Sequence, residues 1–130
     1  FSFKRRTKHI LSANKELGRR GEVLAAAYLQ ELGYAILEHN VRTPFGEIDI
    51  VALEAETLCF VEVKTRTSLR FGHPFESVGR QKQERLVRSA KHFLSAGKSR
   101  YKALRFDVLG LVCAAGKEVE YELLRGAFEA

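Results

Sequence analysis

Two acids and a lysine on neighbouring apolar segments are the residues of this chain best suited to chemistry. Residues 47–53 (Glu-Ile-Asp-Ile-Val-Ala-Leu) and 58–65 (Leu-Cys-Phe-Val-Glu-Val-Lys-Thr) read as strands, joined by the short polar link Glu54-Ala-Glu-Thr57. That pattern predicts a β-hairpin. A two- or four-residue link centred on residues 55 and 56 pairs residues whose numbers sum to 111, so Asp49 faces Glu62 and Glu47 faces Lys64. Side chains alternate along a strand, and all four then project from one face. A three- or five-residue link would break that register. Ile48, Ile50, Cys59, Val61 and Val63 make the opposite face apolar, while Val51, Leu53, Leu58 and Phe60 continue the charged face as an apolar one. Both faces need cover, which leaves the charges at one end of a buried surface.

Facing carboxylates repel each other and are costly to remove from water. A divalent cation is one compensation. Mg²⁺ is held by one or two carboxylates together with water and phosphate oxygens, and such a metal activates water and stabilises charge developing on phosphate. Lys64, on the face of Glu62, is placed to neutralise that charge or to orient and deprotonate the water. The bland alternative is a cross-strand Glu47–Lys64 ion pair beside solvated acids, because an E-x-K triplet recurs by chance in strands.

Gly46-Glu-Ile-Asp-Ile-Val51 followed by Phe60-Val-Glu-Val-Lys-Thr65 resembles the D-x(n)-E-x-K signature of the PD-(D/E)xK nuclease superfamily. With Gly21-Glu22, Lys82-Gln83 and Arg105-Phe-Asp-Val108, in the same order over residues 14–128, the pattern resembles the bacterial YraN-like family, itself similar to archaeal Holliday-junction resolvases. The resemblance implies a restriction-endonuclease-like fold and an endonuclease dependent on Mg²⁺ or Mn²⁺. It implies Asp49 and Glu62 as metal ligands, with the Val63 carbonyl as a third, and Lys64 as the catalytic lysine. Glu22 corresponds to an acidic helix residue near the metal in similar resolvases. Glu47 corresponds to the family's GEID glutamate, to which no role is assigned. The superfamily's proline before the aspartate is absent, as it is in members of this family.

These residues need elements to hold them. Asn14 suits an N-cap, Leu17, Gly21, Leu24, Tyr28 and Leu32 recur at helical spacing, and Gly33 offers a left-handed stop, predicting a helix over 15–32. Residues 1–13 read as a loosely held basic arm, and residues 14–130 as a single domain. Tyr34–Asn40 is strand-like and runs to a turn at Thr43-Pro-Phe-Gly46. After a polar loop over 66–76, Ser77 caps a second helix over 78–96 closed by Gly97, and residues 104–113 and 119–124 read as strands. The order αβββαβ(β) predicts an α/β fold, a mixed sheet flanked by helices.

Charge suggests the partner. The chain carries 22 Lys and Arg against 16 Asp and Glu, a net charge of +6, which favours a polyanion. From Arg80 to Arg105 there are nine basic residues and one acid, Glu84. On the second helix Leu86, Ala90, Phe93 and Leu94 form the core stripe, and Arg85, Arg88 and Lys91 project away. Such a run can be a plain solvated face, although an ordinary one mixes its signs. Lys82 falls near the apolar stripe and can reach the active-site end by snorkelling, and Lys82 with Gln83 is expected at phosphate. Arg19 and Arg20, with Lys4, Arg5, Arg6 and Lys8, add to a surface for backbone binding without sequence selectivity. Asp107 reads first as a structural acid paired with Arg105 or another arginine, and a catalytic role is the lesser alternative. Cys59 and Cys113 read as free buried thiols, and neither they nor His9, His39, His73 and His92 show metal-ligand spacing.

With 45% hydrophobic residues, a folded rather than a disordered chain is expected. No apolar stretch approaches the roughly 20 residues of a membrane span, and a cytoplasmic protein is expected. The leading expectation is a phosphodiesterase acting on nucleic acid, DNA before RNA, with a two-fold homodimer if junctions are the substrate. A non-catalytic nucleic-acid-binding module and a protein-interaction scaffold are the other two.

Overall fold

The structure is a computed structural model that describes residues 6–68, 78–97 and 101–130, with residues 6–15 described in their backbone alone. The elements are α1 (Arg6–Glu31), β1 (Tyr34–Thr43), β2 (Gly46–Glu54), β3 (Thr57–Arg66), α2 (Arg80–Ala96), β4 (Ala103–Val112) and β5 (Glu120–Phe128). The strands form one mixed sheet in the order β1-β2-β3-β4-β5. All neighbours are antiparallel except β3 and β4. Parallel neighbours need a crossover, and α2 lies within it, as the expected α/β arrangement requires.

The hairpin register holds where it is formed. Ile50 pairs with Val61, Val51 with Phe60, Ala52 with Cys59, Leu53 with Leu58 and Glu54 with Thr57, each pair summing to 111. Alternation then sends Cys59 and Val61 to one layer with Ala25 and Leu29 of α1. Leu58 and Phe60 go to the other, with Leu86 and Ala90 of α2. Aromatic contacts finish both layers: Tyr28 stacks on Tyr121 at 4.2 Å, and Phe106 stacks on Phe60 at 5.6 Å and on Phe128 at 4.9 Å.

Five expectations need correction. Helix α1 begins at Arg6 and runs through residues 6–13, assigned above to a loose arm, with Asn14 inside it. No glycine or proline interrupts residues 6–17, and an interior Asn costs well under 1 kcal/mol (roughly) against Ala, too little to stop a helix. The buried line of α1 is Gly21, Ala25 and Leu29, while Leu32 stays exposed. The N-cap of α2 is Gly79, whose carbonyl accepts the Gln83 N–H at 2.9 Å; Ser77 and most of the preceding loop lie outside the described residues. Cys59 is buried as expected, but Cys113 is half-buried, and both are free.

The fifth correction bears on the site. Ile50 packs in the α1 layer, whereas Ile48 packs in the α2 layer, although strict alternation puts both on one face. Between the pairs His39–Ile50 and Val41–Ile48 lie Asn40 and Asp49, and Asn40 has φ 49°. A left-handed residue turns the side chains beyond it over, and Asn tolerates that conformation better than most. The sheet therefore changes face at the level of Asp49.

Candidate active site

Asp49 marks the point where the β2–β3 ladder stops. Beyond Ile50–Val61 the backbones part, and the Val63 N–H donates to Asp49 Oδ2 at 2.8 Å. The aspartate is thereby fixed against the strand that carries Glu62 and Lys64. Burial first, then repulsion from Glu62 with further contributions from Glu22 and Glu47, pushes the Asp49 carboxyl up to about 7, against the opposing Val63 hydrogen bond.

Glu62 is 7% exposed and is gripped by two lysines. Lys82 Nζ lies 2.8 Å from Glu62 Oε1, and Lys64 Nζ lies 3.4 Å from the same oxygen. The expected reach of Lys82 from the apolar stripe of α2 towards the sheet is what this contact shows. Burial, helped by neighbouring Lys82 and opposed by Glu62, pulls the Lys64 ammonium below its ordinary value. Burial acts on Lys82 in the same sense, but its bonds to Glu62 and Lys64 outweigh it and raise its pKa.

The expected Glu47–Lys64 opposition is not formed. The paired ladder ends before reaching either residue, Lys64 bonds Glu62, and Glu47 pairs with Arg42 on β1. Glu47 is exposed. It lines a cleft of about 220 Å³ with Gly46, Glu62, Lys82, Arg85 and Ser89.

Glu22 arrives from the other layer. A methyl group on Gly21 would overlap the Thr65 hydroxyl, so glycine lets α1 close onto β3 directly after Lys64. Glu22 is then held by the Asn40 side-chain amide, which donates to Glu22 Oε2 at 3.2 Å. The left-handed Asn40 thus both turns the strand and ties Glu22 beside Asp49. Sequence reading missed Asn40, because nothing local marks a mid-strand Asn for positive φ.

It also missed the anchor of the β1–β2 turn. The Thr43 hydroxyl donates to the Gly46 carbonyl at 2.8 Å and accepts the Phe45 N–H at 3.1 Å, and Ser89 Oγ of α2 lies 2.9 Å from it. Ser89 is buried within the core stripe of α2.

The basic residues are less gathered than expected. Arg85 lines the cleft, but Arg88 is exposed beside a second hollow with Gln81, Glu84 and Arg85. Gln83 turns away to donate to the Val78 carbonyl at 3.1 Å, securing the start of α2. Arg19 and Arg20 are exposed on α1, in the opposite layer from α2. Lys4 and Arg5 lie outside the described residues, as do the side chains of Arg6 and Lys8.

Asp107 belongs elsewhere and is structural in its contacts. Wholly buried, it accepts from Arg105 Nε at 2.8 Å, Arg105 Nη2 at 3.0 Å, the Tyr34 hydroxyl at 2.8 Å and the Gly126 N–H at 3.0 Å. Arg105 also bonds Glu54 at 2.7 Å, and Arg125 grips both oxygens of Glu54. Cys59 shares this surrounding, and burial above all pushes its thiol up to about 12, leaving it inert as a nucleophile.

Fold and site together define an α/β domain with a carboxylate–lysine cluster where a β-hairpin opens. The chain belongs to the Uncharacterised protein family UPF0102, whose model matches residues 21–111 and so takes in Glu22, Glu47, Asp49, Glu62, Lys64 and Lys82. This is the YraN-like family expected from the motifs. A UPF0102 protein of Dictyoglomus thermophilum is 41% identical over 116 residues, 88% of this chain and 98% of the relative. One of Chlorobium limicola is 48% identical over 99 residues, 76% of this chain and 77% of the relative. One of Syntrophotalea carbinolica is 46% identical over 113 residues, covering 87% and 91% respectively.

Proposed function

We propose that this protein is a metal-dependent phosphodiesterase of the restriction-endonuclease-like, PD-(D/E)xK type, acting in the cytoplasm on nucleic acid, DNA before RNA. The observation that supports it best is the contrast between two aspartates, Asp107 buried and Asp49 half-buried. Asp107 is neutralised by Arg105, as a structural acid should be, whereas Asp49 stands among Glu62, Glu22 and Glu47 and has its proton affinity raised first by burial and then by them. Such a concentration of carboxylates opposes folding and gains from a cation.

Among the described residues no three His, Cys, Asp or Glu side chains gather as a ready cluster for a metal ion. Mg²⁺ does not need one, since one or two carboxylates suffice when water and substrate phosphate fill the remaining positions. The donors here, Asp49 and Glu62, are hard oxygens that fit Mg²⁺ or Mn²⁺, with the Val63 carbonyl as a further candidate. A bound metal of this kind supplies a more acidic water and stabilises charge on the phosphate. The chain's own groups do the rest. Asp49, fixed by the Val63 N–H, and Glu62, fixed by its lysines, orient the site. Lys64, its proton loosened by burial, would orient the attacking water and, once deprotonated, accept the proton that the water gives up as its oxygen bonds phosphorus and the bond to the departing strand oxygen breaks. Lys82 and Arg85 neutralise the phosphate entering the cleft.

One observation favours a second reading, a nucleic-acid-binding module without catalysis. Glu62 is already paired with two lysines, and an ion cluster of that kind can be self-sufficient. The decisive assay incubates the purified protein with Mg²⁺ or Mn²⁺ and labelled linear, flapped and four-way-junction DNA. Cleavage is expected, abolished in Asp49→Ala and Glu62→Ala while binding persists. Binding without cleavage under both metals would establish the second reading instead.

A further inference from the structure

The geometry points to Phe45 as a stacking platform for an unpaired base of the DNA strand whose phosphate enters the cleft, which makes the preferred substrate one with single-stranded character. This rests on reading the cleft as a nucleic-acid site, though not on catalysis there.

A lone exposed apolar side chain is ordinary. The placement of Phe45 is not. It stands at the tip of the β1–β2 turn, 42% exposed, immediately before Gly46 and Glu47, which line the cleft with Lys82 and Arg85. The turn is rigid on both sides of the ring. Thr43 receives the Phe45 N–H and approaches buried Ser89 of α2. Gly46 follows at φ 145°, a conformation other residues resist. His92 of α2 meets the ring edge-on at 6.3 Å, with planes 69° apart. A T-shaped contact props the ring and covers at most one of its two faces.

A propped aromatic at the rim of a cation-bearing cleft is what single-strand binding uses. Cations track the backbone, and the ring accepts any base because every base has a π-face. In a blunt duplex the bases are stacked on each other, so Phe45 gains nothing until a base is freed. Strand ends, flaps and junction centres supply such bases.

The test measures binding in EDTA at low salt, using single-stranded and blunt duplex DNA of equal length, each with one 2-aminopurine. Wild type, Phe45→Ala, Phe45→Leu and Phe45→Trp are compared. The wild type is expected to quench 2-aminopurine in the single strand. Phe45→Ala and Phe45→Leu are expected to weaken single-strand binding about tenfold, the scale of one lost stack, with duplex affinity unchanged and Phe45→Trp close to wild type. Wild-type binding that Phe45→Ala leaves intact, or weakens equally for both DNAs, overturns the role of Phe45 alone. Absence of wild-type binding to either DNA overturns the nucleic-acid reading of the cleft and this inference with it.

Discussion

At the scale of single residues, Asp49 is the most informative group, because its environment works against its charge. The folded protein holds its proton up to about 7, against an ordinary 3.8. Between those values the folded state binds a proton that the unfolded state has released, so this group makes stability fall as pH rises through the window and level off above it. Asp49→Asn removes the dependence and keeps an oxygen for the Val63 N–H. In EDTA at pH 8 the variant is expected to be more stable than wild type by about 2–4 kcal/mol, with the gap closing below pH 4. Urea denaturation at the two pH values reads this directly. An equal gap at both would mean that the Asp49 charge is not the source.

At the scale of elements, the site depends on how closely α1 approaches β3. Gly21 permits the approach at Thr65, and the next residue is Glu22, whose carboxylate Asn40 holds. Gly21→Ala should therefore force the helix outward, despite the better helix propensity of alanine. Overpacking of this kind costs about 1–3 kcal/mol, against less than about 1 kcal/mol gained from propensity. A lowered melting temperature is expected, together with loss of the negative charge that Glu22 contributes near Asp49. A variant as stable as wild type would show that Thr65 yields without cost. On the opposite layer, α2 brings Lys82 to Glu62 and Ser89 to the β1–β2 turn, so two helices and a hairpin converge on one end of the sheet.

At the scale of the whole molecule, the other end of the sheet is closed by a polar network drawing on every strand. Tyr34 of β1, Glu54 of β2, Cys59 of β3, Arg105 and Asp107 of β4, and Arg125 with Gly126 of β5 all take part. Arg125 also lies 5.6 Å from the centre of the Tyr34 ring, bringing the two edge strands into contact. Asp107→Ala takes away the acceptor of the Tyr34 hydroxyl and of the Gly126 N–H and leaves Arg105 with Glu54 as its remaining acid, and opening a buried pair in this way costs up to about 3–5 kcal/mol. Chemical denaturation should show that loss, and a change under 1 kcal/mol (roughly) would mean that water replaces the carboxylate freely. The acids at the two ends thus differ: Glu54 and Asp107 are paired with arginines, whereas Asp49 is crowded by other carboxylates.

The hairpin was legible because alternation and a short link leave few registers, and each formed β2–β3 pair sums to 111 as a link centred on residues 55 and 56 implies. The mixed α/β order and the reach of Lys82 were legible for the same reason, since period and stripe fix which side of an element meets the core. The Arg105–Asp107 pairing could be anticipated because its partners lie two residues apart on one strand. Tertiary structure alone decided the rest. Asn40 takes its left-handed turn, and the ladder opens at Asp49, only once β1, β2 and β3 are laid side by side. Glu22 meets Asp49 only when α1 closes over Gly21. Tyr34 reaches Asp107 across 73 residues of chain, and Arg125 reaches Glu54 across 71. Local periodicity sets which face a side chain takes, but which charges finally meet depends on contacts distant in sequence, and those form only in the packed molecule.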